Sequence, residues 1–107
     1  MYRDNKFKLS YNEIKKALSN AEELYNRYRS PEAISKVVKV DGDKITVLFE
    51  GHFCKSCGVN DWIEDFKYIL SDIGIEAEII DIIEPSDVDA FWRIGVFKLK
   101  NIIYNKR

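Results

Sequence analysis

The chain reads as an α+β protein, a two-layer sandwich in the order α-β-β-α-β-β with both helices on one face of a four-stranded mixed sheet. Three observations lead there. Two stretches repeat apolar residues every three or four positions, as a helix face does; four alternate or run apolar over short spans, as strands do; and an Asp-Gly pair joins two of those. At 107 residues there is room for one domain and one core. With 46% apolar and 33% charged residues, the disordered, collagen-like and low-complexity classes are excluded. A chain of this size buries roughly two-thirds of its unfolded surface, so neither a metal nor a disulfide is needed merely to hold it together.

The first helix is predicted from Tyr11, Ile14, Ala17, Leu18, Ala21, Leu24, Tyr25 and Tyr28, one apolar stripe. Ser10 followed by Glu13 forms a capping box ahead of it, and Pro31 bars its continuation. KVVKVDGDKITVLFEG then reads as a hairpin around Asp41-Gly42, because tight turns need a positive φ that Gly takes without steric cost. The second helix follows from Val59, Trp62, Ile63, Phe66, Ile69, Leu70 and Ile73, with Asn60 as its cap and Gly74 as its stop. IEAEIIDII is the third strand, and its nearly continuous apolar end places it inside the sheet. WRIGVFKLK is the fourth. Its Arg93, Lys98 and Lys100 against Glu76, Glu78 and Asp81 of the third strand predict that these two are antiparallel neighbours. The tail NIIYNKR either extends the fourth strand or lies over the core.

Charge is distributed unevenly. Residues 59–90 carry one Lys against ten acids, a net of −9, while residues 1–36 sum to +3 and residues 91–107 to +5. A nucleic-acid binder concentrates its basic residues on one face, whereas here they lie at the two ends of the chain, so nucleic acid is not an expected partner. No apolar run approaches the ~20 residues that span a bilayer, and MYRDNKFKLS lacks the apolar stretch of a signal peptide; a cytoplasmic protein without a membrane partner is expected. The absence of Gln and the fourteen Ile, with abundant Lys and Glu, resemble hyperthermophile composition. That bears on the cysteines, since intracellular disulfides are common in such organisms.

Chemistry concentrates in HFCKSCG, between the second strand and the second helix, where His52, Cys54 and Cys57 lie together. Two Cys at this spacing can share one metal, close a small disulfide or attack another disulfide. A thiol just ahead of a helix faces unpaired N–H groups and the positive end of the dipole, which favour the thiolate; the acids that follow oppose this. Structural zinc requires four ligands and iron–sulfur clusters are normally held by four Cys, whereas His52, Cys54 and Cys57 supply at most three donors. Asp61 or a second subunit has to complete such a site, so a metal reading predicts a homodimer or transient occupancy. A thiol–disulfide oxidoreductase using Cys54 and Cys57 is the alternative from the enzyme class. A non-catalytic module with a structural disulfide, working through a protein partner, is the third. Phe53, Phe91 and Trp92 flank connections and are candidates to line a pocket or an interface. No Gly-rich phosphate loop is present.

DGDKITVLFEGHFCKSCG, with a capped helix before it and a helix and strand after it, resembles the C-terminal domain of NifU-type iron–sulfur scaffold proteins over about residues 10–83. The resemblance implies that Cys54 and Cys57 fall on a cluster-ligating pair, with the cluster shared between two subunits. Two residues, where that family usually has one, separate Gly51 from Cys54, and Gly58 stands at its usual Pro. ITVLFEGHFCKSCG followed by a helix and GIEAEIIDI is also similar to glutaredoxin and thioredoxin-like proteins. That likeness implies a nucleophilic Cys54 and a resolving Cys57.

Overall fold

The computed structural model describes residues 10–29, 33–51, 59–87 and 91–102. The chain runs α1 (Tyr11–Arg29), β1 (Ala33–Asp41), β2 (Lys44–Gly51), α2 (Val59–Asp72), β3 (Ile75–Ile83) and β4 (Trp92–Ile102), the expected order. The sheet order is β1-β2-β4-β3, and every pairing is antiparallel. This corrects the expectation of a mixed sheet. Helix α2 does return the chain so that β2 and β3 run the same way, but β4 inserts between them and opposes both, so no parallel pair forms.

Local chemistry accounts for the boundaries. At the start of α1 the Glu13 N–H donates to Ser10 Oγ (3.1 Å) and the Ser10 N–H to Glu13 Oε1 (2.9 Å), a reciprocal capping box. The hairpin closes through Gly42-Asp43 with Asp41 paired to Lys44, and Gly42 takes φ 64°, the left-handed value that its lack of a Cβ permits. At the end of α2, Gly74 has φ 94° and its N–H donates to the Ser71 carbonyl (3.0 Å), so the predicted stop is real. Helix α2 begins at Val59, which puts Asn60 in the first turn rather than ahead of it as the cap.

Both helices cover the same side of the sheet. Tyr25 of α1 and Phe66 of α2 each pack their rings on Phe49 of β2, at centroid distances of 5.4 and 5.7 Å, and Phe66 meets Phe97 of β4 at 5.6 Å. The angle is near perpendicular between Phe66 and Phe49 (82°), the edge-to-face arrangement that ring quadrupoles favour. Around these lie Ile14, Leu18, Ile45, Val47, Ile63, Leu70, Ile75 and Leu99, all buried. Gly95 lies beneath them, where an added Cβ would come within 3.0 Å of Ile63 Cγ2 and 3.1 Å of Phe97 Cε1. The α1 stripe is buried only through its middle, since Tyr11, Leu24 and Tyr28 are exposed.

Strand β3 is an edge strand, contrary to its predicted interior position. Its apolar end, Ile79 to Ile83, is split between faces by a bulge that leaves Ile80 without a partner residue: Ile79 and Ile82 pack toward the core, while Ile80 and Ile83 are exposed. The antiparallel β3–β4 pairing did follow from charge, with Glu78 opposite Lys98 and its Oε1 3.3 Å from Lys100 Nζ. Strand β4 runs on to Ile102, extending into the tail.

The other edge is closed by side chains of α1. Asn26 Oδ1 accepts from the Ser35 N–H (2.6 Å) and its Nδ2 donates to the Ser35 carbonyl (3.2 Å), while Glu22 Oε2 accepts from the Val37 N–H (2.7 Å). These backbone groups of β1 would otherwise invite another strand.

Candidate functional site

His52, Cys54 and Cys57, the predicted donors, lie outside the described residues, as does Phe53. What is described is the frame from which they depart. Gly51 ends β2, a central strand, between Ala33 of β1 and the start of β4, and its N–H donates to the Phe91 carbonyl (3.0 Å). Val59 opens α2 on the other side. The segment carrying the CxxC therefore joins the end of a central strand to a helix N-terminus, as expected from the sequence.

Around that end of the molecule two arginines stand out that the sequence reading did not single out. Arg29, in the last turn of α1, forms an ion pair with Asp65 of α2, and its guanidinium also lies over the Trp62 ring at 5.1 Å and the Tyr28 ring at 5.2 Å. Tyr25 adds a second tie between the helices by donating its hydroxyl to the Trp62 carbonyl (3.0 Å). Burial holds the Tyr25 proton on well above its ordinary value, with the Arg29 charge acting in the opposite direction. Arg93 pairs in register with Phe49 and so points to the helix side of the sheet, away from the acids of β3 expected to meet it; its Nη1 donates to the Trp92 carbonyl (2.8 Å). A basic residue ending a helix is read from sequence as solvated, and only the return of α2 brings an aromatic ring and a carboxylate to Arg29.

Of the two flanking aromatics described, Phe91 is exposed, and Trp92 is half-buried and opposite Glu50. Among the described residues no group of three or more His, Cys, Asp and Glu side chains is arranged to hold a metal. Among the described residues, two clefts border the helices. One of about 440 Å³ lies between α1 and the bulged part of β1, beside Tyr11, Lys15, Glu22 and Val38. The other, about 370 Å³, lies along the helix pair between Tyr28, Tyr68, Asp65 and Asp72. No described helix is long and apolar enough to cross a membrane. No family model, curated protein or solved structure matches this chain.

Proposed function

We propose that this is a small cytoplasmic CxxC protein that binds or carries an iron–sulfur cluster or zinc through Cys54 and Cys57, with His52 as a further donor, in a homodimer. The observation that carries the reading is the position of the pair: seven residues, 52–58, link the last residue of a central strand to the first turn of α2. There the unpaired N–H groups of the first turn favour thiolates, the form in which Cys binds metal. His52, Cys54 and Cys57 are three donors, and a second copy, or Asp61 of the same chain, supplies what a closed site lacks. The resemblance to NifU-type scaffolds points the same way. The antiparallel β1–β2 hairpin ahead of the CxxC favours this reading over a thioredoxin-like one, in which a crossover connection precedes that segment.

Anaerobic purification followed by metal and sulfide analysis tests it. Iron with sulfide, or zinc, at about one site per two chains is expected, and Cys54→Ser or Cys57→Ser should abolish it while leaving the fold intact. A metal-free dithiol that reduces insulin would replace the proposal by the oxidoreductase. A metal-free disulfide whose removal only lowers the melting temperature would replace it by the interaction module.

A further inference from the structure

The two edges of the sheet are finished differently. Asn26 and Glu22 of α1 occupy backbone groups of Ser35 and Val37, which closes β1 to a further strand. Among the described residues β3 has no such cover. No described strand lies outside it, and the side-chain bond to its backbone is its own, from the Ile82 N–H to Asp81 Oδ1 (2.9 Å). Strand β4 engages the backbone groups of alternate β3 residues, and those of the residues between them point outward. Within β3 the run is continuous over residues 75–79. The irregularity there inserts Lys100 on β4, and β3 itself bulges only at Ile80.

Charge says what fits there. Glu76 and Glu78 are exposed on the face away from the helices, while Ile75 and Ala77 are buried and Ile79 and Ile82 partly covered on the helix side. Residues 74–90 contain no Lys or Arg, against Glu76, Glu78, Asp81, Glu84, Asp87 and Asp89. From β4 come Lys98, opposite Glu78, and Lys100, with its Nζ 3.3 Å from Glu78 Oε1; α2, packed on the same strand, adds Lys67 and four acids. The edge stays acidic. A second copy is a poor occupant, because two β3 edges paired about Glu76, Ala77 or Glu78 set carboxylate against carboxylate, and β1 is closed.

We propose that the β3 edge, over residues 75–79, takes an extended segment of another protein in which Lys or Arg alternates with apolar residues, as a fifth strand of the sheet. Its backbone satisfies the outward N–H and carbonyl groups, which supplies affinity without reading sequence. Its basic residues lie beside Glu76 and Glu78, with Cβ atoms about 4.5–5.5 Å away when directly opposite, and so select the partner. Its apolar residues fall on the helix side, where they cover Ile79 further. The same acids repel nucleic acid. The edge is made of β3 alone, so this interaction goes beyond the reading of the cysteines and holds with or without metal.

Amide hydrogen exchange, read residue by residue by NMR on the full chain, tests it with acetyl-Lys-Val-Lys-Val-Lys-Val-Lys-amide as the probe. At ~1 mM the probe should slow exchange of the outward amides of residues 75–79 about tenfold and leave Ser35 and Val37 unchanged. Glu76→Lys/Glu78→Lys, checked for folding by its circular dichroism and melting curve, should weaken the probe about tenfold. Glu76→Gln/Glu78→Gln sets no new cation against Lys98 and Lys100, and should weaken it less, in the same direction. The acidic counterpart, with Glu for every Lys, should give no protection. Lys-Pro-Lys-Pro-Lys-Pro-Lys keeps the charge but lacks every second N–H, and should give none either. Absent protection by the basic probe, equal protection by the proline peptide, or protection undiminished in the Gln variant overturns the proposal. Protection of the same amides by self-association, without probe, replaces the partner by a second copy and overturns it too.

Discussion

The two faces of the sheet are built from alternate residues of the same strands, and both are apolar at the centre, yet they differ in what surrounds the apolar residues. Toward the helices, Val47, Phe49 and Phe97 are fully buried and their neighbours are rings and branched aliphatics. On the opposite side, Leu48, Ile94 and Val96 are half-buried and bordered by charges of both signs, Lys36, Lys39 and Asp41 on β1 and Asp81 and Glu78 on β3. One face is closed within the chain. The other keeps its apolar residues half-buried among exposed charges, so strands of the same propensity build a closed core on one side and a charged surface on the other.

Truncating the helix-covered face breaks that contrast most severely. Phe66 touches Tyr25, Phe49 and Phe97, so it joins α2 to both central strands and to α1. Phe66→Ala is expected to cost about 3–5 kcal/mol, because the surrounding rings belong to three separate elements and cannot all move into the space. Urea unfolding measures it. A loss below about 1 kcal/mol would mean that this side is no better packed than the open one.

The contrast was only partly legible in the sequence. The capping box at Ser10 and Glu13, the Gly42 turn and the charge-matched β3–β4 pair are local or nearest-neighbour features, and each formed as the residues predict. The position of β3 was misread for a physical reason: a continuous apolar run usually means two covered faces, and here the Ile80 bulge turns half of the run toward the open side. The same signal, read with the structure in hand, says that the open side is itself apolar. Arg29 illustrates what remains illegible, since its partner Asp65 is brought to it by tertiary packing of α2. The donors His52, Cys54 and Cys57 were legible as a spacing, and the structure adds the strand end and helix start that flank them.

A smaller effect comes from the Tyr25 hydroxyl, buried beside the rings. Tyr25 is fully buried and donates to the Trp62 carbonyl, so Tyr25→Phe should cost about 1 kcal/mol at neutral pH. Burial raises the affinity of the folded phenol for its proton, while the unfolded chain releases that proton near the ordinary value of 10.0. The contribution of Tyr25 is thus fully present below that pH and is lost as pH rises above it, at a slope approaching ~1.4 kcal/mol per pH unit. Phe has no proton to lose, so the deficit of Tyr25→Phe should shrink and then reverse on the alkaline side. A deficit that stayed constant through alkaline pH would show that the hydroxyl is solvated in the folded state.

The finest comparison uses one substitution on each face. Val47 and Val96 lie on adjacent central strands, pointing to opposite sides: Val47 is fully buried and opposite Gly95, Val96 half-buried and opposite Thr46. Replacing either by Thr preserves shape and strand propensity and exchanges one methyl for a hydroxyl, so any difference reports the surroundings alone. Val47→Thr buries that hydroxyl among apolar groups and should cost about 1–3 kcal/mol at any protein concentration. Val96→Thr leaves the hydroxyl in water when the chain is a monomer and should change stability by no more than about 0.5 kcal/mol in dilute solution. Equal losses at the two positions, independent of concentration, would mean that the open face is covered within a single chain.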